Sequence, residues 1–228
     1  MEDEYYDNLQ RVNTGYGKPR FSRKEVMDIT ISVIVLAIAF TILYRNNTSF
    51  LNFFEYHLGE SMKYIGLFGL CLALVVVSFL FHEFGHKFVA QKHGLWSEFR
   101  MWPTGLVLTL ITPFLGFLFA SPGAVYIAGN MDQETNGKVS IAGPMVNIVM
   151  SFIGIIGCFT VNYSGWIIFF LMLGNLNAFL ALFNLIPIPP LDGSKIIKWN
   201  PIMWVAAIAV AALELIIIMF CLPDLYWA

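Results

Sequence analysis

Apolar positions in this chain gather into long runs, at about Ile29–Tyr44, Tyr64–Val89, Val139–Phe159, Trp166–Ile186 and Ile202–Leu222, and most charged residues fall in the gaps between them. Each run approaches the roughly 20 residues with which a helix crosses the hydrocarbon core. The pattern therefore predicts five membrane spans, of which the first is short and has room to recruit flanking residues. A sixth apolar stretch, Thr104–Phe119, contains Pro113 and leads into Ala120-Ser121-Pro122-Gly123, so it suits one uninterrupted helix poorly. The first 28 residues are polar, which argues against a cleavable signal segment. The first span is expected to be retained.

Composition supports an all-α polytopic membrane protein with five or six transmembrane helices. Of 228 residues, 58% are hydrophobic and 12% charged; soluble domains carry about 25% charged residues. The net charge of −2 offers no basic footprint for nucleic acid. Cys71, Cys158 and Cys221 lie far apart in apolar runs and read as small buried hydrophobes.

Charge places the ends. Lys18, Arg20, Arg23 and Lys24 precede the first run, whereas the loop from Arg45 to Lys63 has only those two basic residues. The positive-inside rule then predicts a cytoplasmic N-terminus, and the second span runs inward, followed by Lys87, Lys92 and Arg100. If Thr104–Phe119 crossed, Asp192 would lie across the membrane from the end of that span. If it dips and returns, Asp192 shares the side, with Lys195 and Lys198. A re-entrant or membrane-edge hairpin is therefore expected for residues 97–128. Non-helical backbone at that depth needs protein or a wet cavity to satisfy it.

The inner end of the second run carries His82-Glu83-Phe84-Gly85-His86, after a stretch from Ile65 to Phe81 without a charge. On a helix, His82 and His86 project from one face and can grip one metal ion. Glu83 is placed to take a proton from the attacking water. Ionisable groups inside a membrane are costly and usually functional. A catalytic metal site needs a third ligand, and the candidates are His57, His93, Asp192 and Glu214. Topology puts His57 outside, and His93 reads as a solvated loop residue. Glu214, inside the last span, could be a ligand, a supporting group or a helix-packing partner. Asp192 follows Pro187, Pro189 and Pro190, and there a ligand and a plain Asp-Gly turn are equal readings.

Three elements in order, the pentad, Ala142-Gly143-Pro144-Met145-Val146-Asn147, and the segment from Asn184 through Pro187 and Pro189 to Leu191-Asp192-Gly193, closely resemble the site-2 protease family of intramembrane zinc metalloproteases. The resemblance covers roughly residues 64–198. It implies Zn2+ held by His82, His86 and Asp192, with Glu83 activating water. It implies Asn184 as a catalytic residue that positions substrate or contacts the oxyanion, and Asn147, in the GPxxN element, as a substrate-binding residue. It also implies a membrane-associated β-hairpin after the HExxH helix. One departure is Leu191-Asp192-Gly193-Ser194 where many members read LDGG.

The expected organisation is a cytoplasmic tail over 1–28, a membrane-embedded metalloprotease domain over 29–222 with its core at 64–198, and a short tail over 223–228. No room is left for a PDZ or CBS domain. The expected function is hydrolysis of peptide bonds in transmembrane protein substrates, in a cell membrane, with the site toward the cytoplasmic half. Rival readings are a prenyl-protein protease, a silent partner-binding relative and a metal transporter. The later motifs argue against the first, intact catalytic positions against the second, and the scarcity of polar residues in the spans against the third. Oligomeric state is not legible. Sequons at Asn46, Asn47 and Asn162 fall in loops placed outside.

Overall fold

The computed structural model describes residues 21–221; the expectations for residues 1–20 and for the tail at 223–228 lie outside the described residues. Five of its helices are long and apolar enough to cross a membrane, so the five-span count holds and the sixth apolar stretch is not a crossing. In chain order the elements are α1 (Arg23–Tyr44), α2 (Thr48–Leu58), α3 (Lys63–Lys92), β1 (Trp96–Met101), α4 (Pro103–Ile111), β2 (Gly123–Ala128), α5 (Gln133–Thr160), α6 (Ser164–Leu185), α7 (Gly193–Trp199) and α8 (Pro201–Cys221).

Helix α1 starts six residues before the apolar run. The Ser22 hydroxyl caps it by accepting from Glu25 N–H at 3.1 Å, which satisfies a donor that the first turn would otherwise leave orphaned. Glu25 and Asp28 are buried, whereas Arg23, Lys24, Val26 and Met27 beside them are exposed. Glu25 is matched inside the protein, but Asp28 Oδ1 makes no hydrogen bond among the described residues and lies 3.7 Å from Lys24 Nζ. Lys87 of α3 bonds both Glu25 carboxylate oxygens, at 2.8 and 3.0 Å, and neither side chain is exposed. Removing one partner of such a pair leaves a buried charge, at a cost of roughly 3–5 kcal/mol.

The segment between the first two long helices holds a helix that the span pattern did not predict. Asn47 caps α2 by accepting from Phe50 N–H at 3.2 Å, and Phe50, Leu51 and Phe54 pack into the cluster around Leu67, Cys71 and Leu74. Gly59, with φ of 83°, ends it in a conformation that favours glycine.

Strands β1 and β2 pair antiparallel, with Phe99 opposite Val125. Between them α4 leads into a 3-10 turn over Thr112–Leu115, and the chain returns extended. The returning backbone is satisfied by α4 and the turn after it: Thr112 Oγ1 accepts from Phe119 N–H at 2.9 Å, and Thr109 Oγ1 donates to the Phe119 carbonyl at 3.1 Å and accepts from Ser121 N–H at 3.3 Å. This is how non-helical chain survives at depth. Its contacts with α1 give the path. Phe99 meets Glu25, Pro122 meets Ser32, and the Phe114 ring lies 5.2 Å from the Arg45 guanidinium at the far end of α1. The element dips along α1 and comes back, as the hairpin expected at 97–128 requires.

Helix α5 lies between α3 and α6, with α7 and α8 against its other side. The cluster of Ile141, Ile148, Ala181, Leu185, Ile196, Ala207 and Ala211 ties α5 to α8 around the loop that carries Asp192.

Candidate metal centre

His82 and His86 lie one turn apart on α3, and Asp192 lies at the start of α7; their side chains meet in one buried group. The pairwise separations are 3.0 Å between the two Nε2 atoms, 3.1 Å from His86 Nε2 to Asp192 Oδ2, and 3.6 Å from His82 Nε2 to Asp192 Oδ2. Bonds of about 2.0–2.2 Å in tetrahedral array put ligand atoms roughly 3.3–3.5 Å apart. The three observed separations, 3.0, 3.1 and 3.6 Å, bracket that spacing.

The far side of each ring shows which lone pairs are free. His82 Nδ1 faces Asn147 Oδ1 at 2.6 Å, and His86 Nδ1 faces the Val139 carbonyl at 2.8 Å. A carbonyl oxygen only accepts, so each Nδ1 carries the hydrogen and each neutral ring turns a bare Nε2 inward. Two imine nitrogens and a carboxylate oxygen thus converge with no donor among them. That set calls for a cation.

Asp192 occupies the N-cap position of α7 yet makes no side-chain capping bond. Its carboxylate faces the two imidazoles instead, with Oδ2 turned to the two bare Nε2 atoms. Its other oxygen, Oδ1, lies 3.7 Å from Lys195 Nζ.

Glu83 is buried beside His82, within electrostatic reach of both imidazoles and Asp192, and its Oε2 accepts from Val125 N–H of β2 at 3.1 Å. The hairpin edge therefore meets the candidate base directly.

Asn147 has no exposed surface. Its Oδ1 takes the His82 Nδ1 hydrogen, and its Nδ2 donates to the Ser78 carbonyl at 3.0 Å and to Asn177 Oδ1 at 2.8 Å. So enclosed, Asn147 spends its described hydrogen bonds on His82, Ser78 and Asn177, and the bond to His82 orients that ring. Asn177 in turn donates to Ser78 Oγ at 2.8 Å. Neither Ser78 nor Asn177 was singled out from the sequence, although an Asn in mid-span was a usable signal. Ser78 sits in a π turn, Val76–Leu80, immediately before the pentad, and such turns gather at functional sites. Replacing Asn147 by Leu should weaken zinc binding about 10–100-fold with the fold retained, since it removes a bond that orients a ligand. Zinc titration against a chromogenic chelator measures this.

Gly143 explains how α5 comes so close. A Cβ there would run into His86 Nε2 and lie 2.7 Å from His82 Cε1. Gly143→Ala should therefore displace an imidazole and lower zinc occupancy, read by metal analysis of the purified protein. Unchanged occupancy would contradict this placement of the rings.

Asn184 is half-buried, and its Nδ2 donates to Leu180 O at 3.0 Å along its own helix; among the described hydrogen bonds, none joins it to the metal group. His57 bonds the Phe53 carbonyl and Tyr163 at the other end of the molecule, and His93 is an exposed residue at the end of α3. Glu214 is buried against Ser151 on α5, outside the group of three. Cys71 and Cys158 are free and buried in apolar clusters.

Comparison with known proteins adds an independent line. Residues 160–204 match the family model described as Peptidase family M50. A Methanocaldococcus jannaschii protein named "Putative zinc metalloprotease MJ0611" is 40% identical over 188 residues, covering 81% of this chain and 89% of that protein. In Bacillus subtilis, "Putative zinc metalloprotease YwhC" is 34% identical over 146 residues, covering 54% of this chain and 65% of its own. "Zinc metalloprotease MJ0392", also from M. jannaschii, is 31% identical over 127 residues, covering 55% of this chain and 32% of its own. No solved structure matches the chain.

Proposed function

The chain belongs to peptidase family M50 and is a multi-pass membrane zinc metalloprotease, and from that premise we propose that it cuts peptide bonds within, or close to, transmembrane segments of other membrane proteins. The observation that supports this most is the convergence of His82 Nε2, His86 Nε2 and Asp192 Oδ2 at the end of a membrane-length helix. We assign zinc to these three. Zinc supplies Lewis acidity that makes water nucleophilic near neutral pH and polarises a carbonyl.

The chain's own groups do the rest. Glu83 takes the proton of the attacking water and returns it to the leaving amine. Asn184 lends its amide to the charge developing on the carbonyl oxygen, through the second N–H of Nδ2 beside the one that donates to the Leu180 carbonyl. A helical substrate hides its carbonyls in i→i−4 bonds and must unwind locally before attack. Both outer edges carry a carboxylate at this rung, Glu25 on Phe99 N–H of β1 and Glu83 on Val125 N–H of β2, and a substrate strand on β2 takes the place of Glu83 at Val125 N–H. An extended substrate laid along β2 would pass the base directly. With the N-terminus cytoplasmic, the start of α5 and α7 share the inner side with the site, and water enters from there. Residues 29–222 form the protease domain in this reading, extended by the first turns of α1.

Depth of cutting tests the proposal. A transmembrane peptide reconstituted with the protein in vesicles should yield new termini inside its apolar segment, read by mass spectrometry. Termini confined to the flanking polar residues would favour a surface-cutting zincin such as a prenyl-protein protease.

A further inference from the structure

The Phe99–Val125 rung of the hairpin is held from both sides by carboxylates. Phe99 N–H donates to Glu25 Oε1 at 2.9 Å, and Val125 N–H donates to Glu83 Oε2 at 3.1 Å. The two grips share one helix face, because Lys87 lies four residues beyond Glu83 on α3 and bonds Glu25. Lys87 also donates to the Ser97 carbonyl of β1 at 2.8 Å, and Ser97 Oγ returns a bond to the Lys87 carbonyl at 3.2 Å. Glu25, Lys87, Ser97 and Phe99 are all buried, so no solvent competes for these bonds. The hairpin is thus tied to the metal-bearing helix at a residue adjacent to His86.

We infer that the buried Glu25–Lys87 pair is a positioning device that sets the register of the β1–β2 hairpin over Glu83 and so selects which substrate peptide bond is cut. The inference rests on the reading above, in which the substrate lies along β2. The physical case is geometric. A strand that slips by two residues moves by about 6.6 Å, far beyond the tolerance of a near-attack geometry, and a misplacement of 1 Å alone can cost about 100-fold. The β hydrogen bonds of two short strands do not fix this by themselves, because a two-stranded ribbon is marginal unless it packs on something else. Glu25 and Lys87 provide that fixed point, and they draw the N-terminal turn of α1 into the site's support.

The test uses full-length protein in vesicles with a transmembrane peptide, in two variants. Lys87→Met removes one partner; Glu25→Gln with Lys87→Met removes both charges, which avoids an unpaired buried ion and keeps an acceptor for Phe99 N–H. Product termini are mapped by mass spectrometry, and amide exchange is followed over residues 96–128. Wild-type protein is expected to cut at one dominant bond. The double variant should stay folded, lose amide protection at 96–101 and 123–128 while keeping it in α6, and scatter its cuts over neighbouring bonds with a roughly 100-fold slower main cut. Unchanged hairpin protection, or slower cutting confined to the wild-type bond, would overturn the positioning role. If wild-type protein cuts no membrane peptide, the protease reading of the substrate fails instead, and the exchange data still decide whether the pair holds the hairpin.

Discussion

Glu83→Gln protein is expected to retain its zinc and lose cleavage by about 100- to 10,000-fold, the range that a positioned acid–base group contributes. The separation follows from where Glu83 stands. It is beside His82 but is not one of the three converging donors, and its nearest described partner is a backbone N–H of β2. Gln keeps the length and an oxygen that can accept from Val125, so the hairpin has no cause to move. What it lacks is a base. Metal analysis and a cleavage time course on the same preparation read both halves of the prediction. Wild-type cleavage would remove Glu83 from the mechanism, and loss of zinc would make it a ligand.

The second large effect falls on Asp192. Asp192→Ala removes one of three donors, and zinc affinity should drop by more than the 10–100-fold that loss of a mere supporting bond costs. Asp192→Asn discriminates further. Asn suits a turn as well as Asp does but carries no charge to offer a cation. If Asp192 only shaped the chain after Pro190, the Asn protein would bind zinc as the wild type does. The account expects both variants to bind poorly while circular dichroism shows the helices intact.

The spans and the metal grip were legible because their signals are local. Uncharged runs of membrane length and an i,i+4 histidine pair can be read without knowing what they pack against. From its own setting Asp192 was legible only as one of several candidates, and the family resemblance singled it out, since its approach to the histidines depends on the chain between α3 and α5 returning to the same side. That return is fixed by particulars such as Thr109 and Thr112 bonding the extended limb. The burial of Glu25 was out of sight for the same reason. Charged residues next to a basic stretch read as solvated, and only the position of Lys87 turns Glu25 inward. The π turn at Val76–Leu80 has no periodic signature, so the link from Ser78 through Asn177 and Asn147 to His82 was out of sight. Asn147 was picked out by its motif, and its bond to His82 came into view only with the fold.

The central claim is that His82, His86 and Asp192 hold one zinc ion on which peptide cleavage in the membrane depends. Its most direct test strips the reconstituted protein with a strong chelator, measures residual metal, and then returns zinc in steps while cleavage of a transmembrane peptide is followed. The account predicts that cleavage disappears with the metal and returns in proportion to bound zinc, reaching full rate at one ion per chain. Full-rate cleavage by metal-free protein, or by a His82→Ala and His86→Ala double variant, would contradict it.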